Sequence, residues 1–187
     1  LARGGTPVGQ LQLARAAGLA NNTVAAGYVE MLSDLMCVGS ALAFDANTKT
    51  AVRRRPAKFP FINLLAASMF HPARLRTVAD FRGLPPEEQG RFHEWLVAQE
   101  LWRRAAIAGE ETPEQLLYWQ TKEHELDYVV APDRYIEVKR GRTGPLEFAW
   151  FARAFPHARL TVVGADRFQA GNVRGVLPEE FLFGEGA

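Results

Sequence analysis

The sequence predicts an α/β chain: an N-terminal helical part with an attached hairpin, then a layer of helices on a mixed sheet. Three observations carry that expectation. Residues 84–109, LPPEEQGRFHEWLVAQELWRRAAIAG, repeat apolar positions at the helical period. Residues 123–141, EHELDYVVAPDRYIEVKRG, read as two strands joined by a turn. Beyond them LEFAWFARAF reads as an apolar helix stopped by Pro156, and RLTVVG (159–164) as a further strand. The helix between Lys139 and Arg159 makes a crossover, so a mixed sheet is expected.

The elements follow in order. GQLQLARAAG is a short helix ending at Gly18, and a second runs from about Asn21 to Ser33, with Asn21 or Asn22 as its N-cap. Leu11, Ala14 and Ala17, then Thr23, Val24, Tyr28 and Leu32, give an apolar inner stripe across a turn of small residues, which resembles a helix-turn-helix. Residues 37–44 and 51–55 flank the turn-forming DANTK and pair as a wing. Residues 1–58 are therefore expected to form a winged-helix-like domain. The exposed positions of the second helix offer few arginines or lysines, so docking onto a protein is as good a reading as DNA recognition. FPFINLLAASMF (59–70), the longest apolar run, is too short and polar to span a bilayer. It is expected as a linking helix between domains, with residues 59–80 as linker and 81–187 as the second domain.

The long helix opens with prolines and glutamates, closes with Arg103 and Arg104, and stops at Gly109. Phe92, Trp95, Leu96, Trp102 and Ala106 are expected to face the core. Glu94 stands out because Val97, Ala98, Leu101 and Ala105 share its face. Glu100, followed by Arg103 and Arg104, reads as a solvated charge. LLYW (116–119) is a strand, and the hairpin comes next. Glu137 and Lys139 are two apart and point to one face, leaving Ile136 and Val138 for the other. Asp127 lies in an apolar strand, where a carboxylate is costly unless it is paired or binds a metal. Two carboxylates and a lysine on one sheet face are the parts of divalent-metal phosphodiester hydrolysis. The bland alternative is a solvated hairpin with cross-strand ion pairs.

This order of elements, with Glu94, Asp127 and Glu137-Val138-Lys139 in place, resembles the PD-(D/E)XK restriction-endonuclease-like superfamily. More narrowly it resembles the C-terminal region of bacterial and archaeal AAA-type ATPases. The matching residues are Gly90, Glu94, Val97 and Leu101, then Trp119, Thr121, Glu125, Asp127, Tyr128 and Val129, then Ile136 to Lys139. The resemblance covers roughly residues 80 to 165. It implies an αβββαβ nuclease-like domain in which Glu94, Asp127 and Glu137 place Mg²⁺ or Mn²⁺ and Lys139 acts on the attacking water. It also implies an ATPase module upstream in a longer protein, an expectation shared by a chain that opens on Leu1 and has no G-x-x-x-x-G-K-[ST] loop. A natural stand-alone chain trimmed at its start is the alternative.

Charge divides unevenly. Residues 1–80 hold nine Lys/Arg against four Asp/Glu, and residues 81–187 hold thirteen against seventeen. The basic excess concentrates in Arg53, Arg54, Arg55 and Lys58, an expected phosphate contact; Arg140 and Arg142, beside the site lysine, are expected to touch a nucleic-acid backbone. The expected partner is nucleic acid, DNA first, with no membrane. One cysteine, Cys37, excludes an intrachain disulfide framework, and no signal peptide is legible, so a cytoplasmic location is expected. Four scattered histidines give no zinc spacing. Two readings compete: a metal-dependent nuclease, and a non-catalytic module that binds nucleic acid or protein and regulates an ATPase.

Overall fold

A computed structural model of the chain describes residues 6–184. These residues are mixed α/β. The helices are α1 (Gln10–Ala16), α2 (Asn22–Asp34), α3 (Leu64–Phe70), α4 (Val78–Arg82), α5 (Pro86–Ile107), α6 (Ala149–Ala154) and α7 (Pro178–Phe183), with a 3₁₀ turn at Pro145–Phe148. The strands are β1 (Ser40–Asp45), β2 (Thr50–Val52), β3 (Gln115–Gln120), β4 (Glu125–Leu126), β5 (Tyr128–Ala131), β6 (Arg134–Val138), β7 (Arg159–Val163), β8 (Phe168–Ala170) and β9 (Val173–Val176). They form two sheets, ordered β2-β1-β3-β4 and β5-β6-β7-β9-β8. No helix of the described residues is long and apolar enough to cross a membrane.

The chain divides into two units, residues 1–43 with 51–116 and residues 44–50 with 117–187. This division differs from the expected boundaries after residues 58 and 80. In particular α5, expected in the second domain, belongs to the first unit.

In the first unit Asn21 caps α2, its side chain accepting from the Val24 N–H at 2.9 Å, and Gly18 takes the left-handed conformation (φ 66°) that closes α1. The expected inner stripe is overturned. Ala14 and Ala25 are the buried residues of this helix pair, whereas Leu11, Val24, Tyr28 and Leu32 are exposed. Small side chains let the two helices meet, so the large ones stay outside. The apolar run 59–70 is not a helix between domains: only α3 forms within it. Asn63 caps α3, and Phe61, Leu64 and Ala67 pack with Leu84, Phe92 and Trp95 of this same unit.

Helix α5 opens on Pro86, with Glu87 and Glu88 in its first turn, and is followed by Gly109 at φ 76°. Phe92 and Trp95 are buried as expected, but Ala106 is exposed and Val97, Ala98 and Leu101 carry the buried face. Glu100 is a second correction. It is 5% exposed, because Arg103 and Arg104 both close on it at 2.7 Å and cover it. Those guanidinium hydrogen bonds outweigh its burial and hold its carboxyl below the ordinary range.

In the second unit β6, β7 and β9 run parallel, and β5 and β8 lie antiparallel at the edges. The 3₁₀ turn and α6 form the expected crossover between β6 and β7. They bury Phe148 and Phe151 in a core with Val129, Tyr135, Leu160, Val162 and Val173. The C-terminal elements β8, β9 and α7 extend the sheet beyond the expected strands. A two-residue turn, Gly171-Asn172 with Gly171 at φ 58°, joins β8 to β9.

Gly175 sits where a Cβ would stand 2.4 Å from the Phe168 ring and 2.8 Å from the Asp166 carbonyl oxygen. Gly175→Ala is expected to cost about 1–3 kcal/mol through overpacking, read as a lower urea midpoint. An unchanged midpoint would show that the β8–β9 ribbon yields freely.

Candidate functional site

The hairpin is built differently from a simple pair of strands. β4 pairs with β3 (Trp119↔Leu126) and β5 with β6 (Tyr128↔Ile136), so the chain changes sheets at Asp127. Asp127 is 8% exposed, and its Oδ2 accepts the Val138 N–H at 2.9 Å. That bond ties the break between β4 and β5 to the end of β6. Glu137 is 7% exposed, while Lys139 extends its amine to Glu137 Oε1 at 2.6 Å. Ile136 and Val138 are buried, and so are Tyr135 and Glu137, so both faces of β6 are covered there.

These three groups meet at the carboxyl end of β6. In open α/β sheets that is the end where ligands bind. β7 ends alongside: the Lys139 N–H donates to the Val163 carbonyl at 2.8 Å. Gly164 follows, and a Cβ there would lie 3.2 Å from the Lys139 carbonyl oxygen.

Burial pushes the Lys139 ammonium toward losing its proton, but Glu137 opposes this by charge and by hydrogen bond, and Asp127 and Glu147 add to it. The net result holds its pKa above the ordinary lysine value. Lys139 is therefore a cation at neutral pH, suited to donate hydrogen bonds and to face negative charge rather than to remove a proton. Tyr135, on the same side of β6 as Glu137, is pushed up to about 12, by burial first and by Asp133 second.

Of the expected quartet, Asp127, Glu137 and Lys139 come together within the second unit. Glu94 is half-buried on α5, in the first unit, beside buried Val97, Ala98 and Leu101. Among the described residues no group of three or more His, Cys, Asp or Glu side chains is placed to hold a metal ion.

The expected basic residues separate. Arg53, Arg54 and Arg55 are exposed and line a cleft of about 730 Å³ in the first unit, a cleft that also holds Glu30, Asp34 and Glu114. Lys58 is a correction: it is 4% exposed, so it offers no open phosphate contact. It exchanges both backbone hydrogen bonds with Ala41, at 2.9 Å each, and directly paired residues share a face. That face is buried, since Ala41 is fully covered. Arg140 and Arg142 are exposed. Arg142 reaches Asp166 at 3.2 Å, and Asp166 also accepts the Thr143 N–H at 2.9 Å, which pins the loop after the site lysine.

Sequence reasoning missed Glu147 and Asp166. Glu147 follows Gly144-Pro145 at a helical start, a legible position for an acidic side chain, and its charge acts on Lys139. Asp166 had none. His124 stacks on Trp150 with ring centroids 4.0 Å apart, and His93 bonds the Gln89 carbonyl at 2.7 Å.

No family model, curated protein or solved structure matches the chain. The PD-(D/E)XK resemblance thus rests on its motif residues.

The raised Tyr135 and Lys139 values fix a sign. Both groups release their protons at lower pH in the unfolded chain, so their stabilising contributions are complete below about pH 10 and fall as pH rises. The expected outcome is an unfolding free energy that declines between pH 10 and 12, with a shallower decline in Tyr135→Phe. Identical slopes in the two proteins would contradict the burial of that phenol.

Proposed function

We propose that the second unit carries out metal-dependent phosphodiester hydrolysis of nucleic acid, with DNA the first substrate to test, in the manner of PD-(D/E)XK nucleases. The observation that carries the reading is the meeting of Asp127, Glu137 and Lys139, mostly buried, at the carboxyl end of β6. The proposal extends to a winged-helix-like first part and to an AAA-type ATPase as the wider setting.

The donor set suits a hard cation. Mg²⁺ takes oxygen ligands, commonly one or two carboxylates with several waters retained, and Asp127 and Glu137 supply those carboxylates. Each of the two bonds seen, from the Val138 N–H and from Lys139 Nζ, uses part of a carboxylate that has about four lone-pair positions to offer. When bound, such an ion supplies Lewis-acid charge next to the scissile phosphate. The chain's own residues do the rest. Asp127 and Glu137 orient the donor oxygens, and Lys139 holds a proton at Nζ and donates to the attacking water or a phosphate oxygen. Asp166 keeps Arg142 and Thr143 beside the same strand end.

A second reading is a non-catalytic module that regulates an ATPase by binding nucleic acid or protein. It draws on the lack of a three-ligand cluster among the described residues and on the outward face of α2 with its C-cap residue, where Val24, Tyr28, Met31 and Leu35 offer apolar contact in place of basic groups.

Cleavage assays separate the two. Wild-type protein is expected to cut DNA or RNA with Mg²⁺ or Mn²⁺ and to stop in EDTA. Asp127→Asn keeps an oxygen to accept the Val138 N–H but loses the charge, so activity should fall by about 10²–10³-fold while the fold persists. Lys139→Ala should fall at least as far and should also lower stability, since it removes the cation from a buried carboxylate. Wild-type protein that cuts nothing in either metal, yet binds nucleic acid or a protein partner, would leave the second reading.

A further inference from the structure

Lys139 occupies one face of β6, and the opposite face carries a different chemistry. Alternation places Arg134 and Ile136 there. The parallel register sets Arg134 directly beside Arg159, and Thr161 beside Arg174. Gln169 on β8 is in turn the partner of Arg174. Directly paired residues and residues two apart on one strand share a face. Arg134, Arg159, Thr161, Arg174 and Gln169 therefore stand on one side of the five-stranded sheet, spread over four strands. They line a single recess of about 290 Å³, with Ile136 among its apolar residues.

Strand spacing puts the Arg134 and Arg159 backbones roughly 5 Å apart, with Arg174 roughly 8 Å from Arg159. Like charges directly opposite each other on a sheet are destabilising. None of the ion pairs found among the described residues involves Arg159. Glu180, which pairs with Arg167 at 2.8 Å, also feels Arg174. Two arginines side by side, with a third on the next strand, concentrate positive charge at this end of the sheet.

We propose that Arg134, Arg159 and Arg174 form a phosphate-binding site on the face of the sheet opposite Lys139. Guanidinium forks match the planar oxygen pairs of phosphate and carboxylate. Three forks within one small recess suit a multiply charged oxyanion better than a single carboxylate. Thr161 adds a hydroxyl donor. The phosphate source is either a free polyphosphate or the backbone of a nucleic-acid strand. The site is independent of the hydrolytic reading, because it shares no residue with Asp127, Glu137 and Lys139 and points away from them.

The test is done in EDTA with the full chain. Pyrophosphate is followed by thermal shift, and a fluorescein-labelled twelve-nucleotide oligothymidylate by anisotropy. At ten times its Kd, either ligand should raise the wild-type Tm by roughly 3–6 °C. Arg159→Gln should weaken binding by about tenfold or more and should raise the Tm of the anion-free protein, because the like-charge contact is relieved. Arg153→Gln, which removes an exposed arginine outside the recess, should bind as wild type does. Response to pyrophosphate alone assigns free phosphate, and tighter binding of the oligonucleotide assigns a strand backbone. If Arg159→Gln does not fold, Arg174→Gln supplies the same comparison. Three results would overturn the site: neither probe binding; poly-glutamate displacing both probes more strongly than pyrophosphate does; or Arg159→Gln lowering the anion-free Tm with binding unchanged.

Discussion

The hydrogen bond from the Val138 N–H to Asp127 is the contact on which the second unit's arrangement turns. At Asp127 the chain leaves the strand paired with β3 and enters the strand paired with β6. A residue at such a break has lost its ladder partners, and a short acidic side chain can replace one of them. The carboxylate accepts the buried Val138 N–H at the end of β6, so the two sheet segments keep a fixed register at that point. The same bond brings the Asp127 charge close to Glu137 and Lys139. The structural device and the candidate site are thus one feature.

The electrostatics of this cluster follow from its burial. Asp127 and Glu137 lie nearly out of solvent, where charge–charge interactions are stronger than in water. Burial by itself would discharge Lys139, yet the surrounding carboxylates prevail and keep it protonated. A lysine held that way is a poor base and a good donor. Its competence for phosphodiester chemistry would lie in facing the charge of the phosphate and in orienting water. Glu147, brought in by the turn after β6, belongs to that balance as much as the strand residues do.

The parts of the fold that were legible in the sequence are those with local causes. The α5 boundaries follow from Pro86, Glu87 and Glu88 at one end and Gly109 at the other. The alternation Ile136-Glu137-Val138-Lys139 dictates which side chains meet. The crossover to β7 follows from an apolar helix between two strands. What stayed hidden depends on distant partners. Lys58 sits in a basic run, but its bridge to Ala41 turns it inward. Glu100 has solvated-looking neighbours, and those neighbours bury it. Val24, Tyr28 and Leu32 have the spacing of an inner stripe, yet Ala14 and Ala25 make the helix contact. The arginine row across β6, β7 and β9 is invisible in sequence, because only the register brings residues 134, 159 and 174 to one face.

Titration of the purified protein with Mn²⁺ by calorimetry, with Asp127→Asn alongside, tests most directly whether Asp127 and Glu137 form a divalent-cation site beside Lys139. The account predicts one weak site per chain in the wild type, competed by Mg²⁺ and lost in Asp127→Asn. Equal Mn²⁺ binding by the two proteins, or none by the wild type, would contradict it.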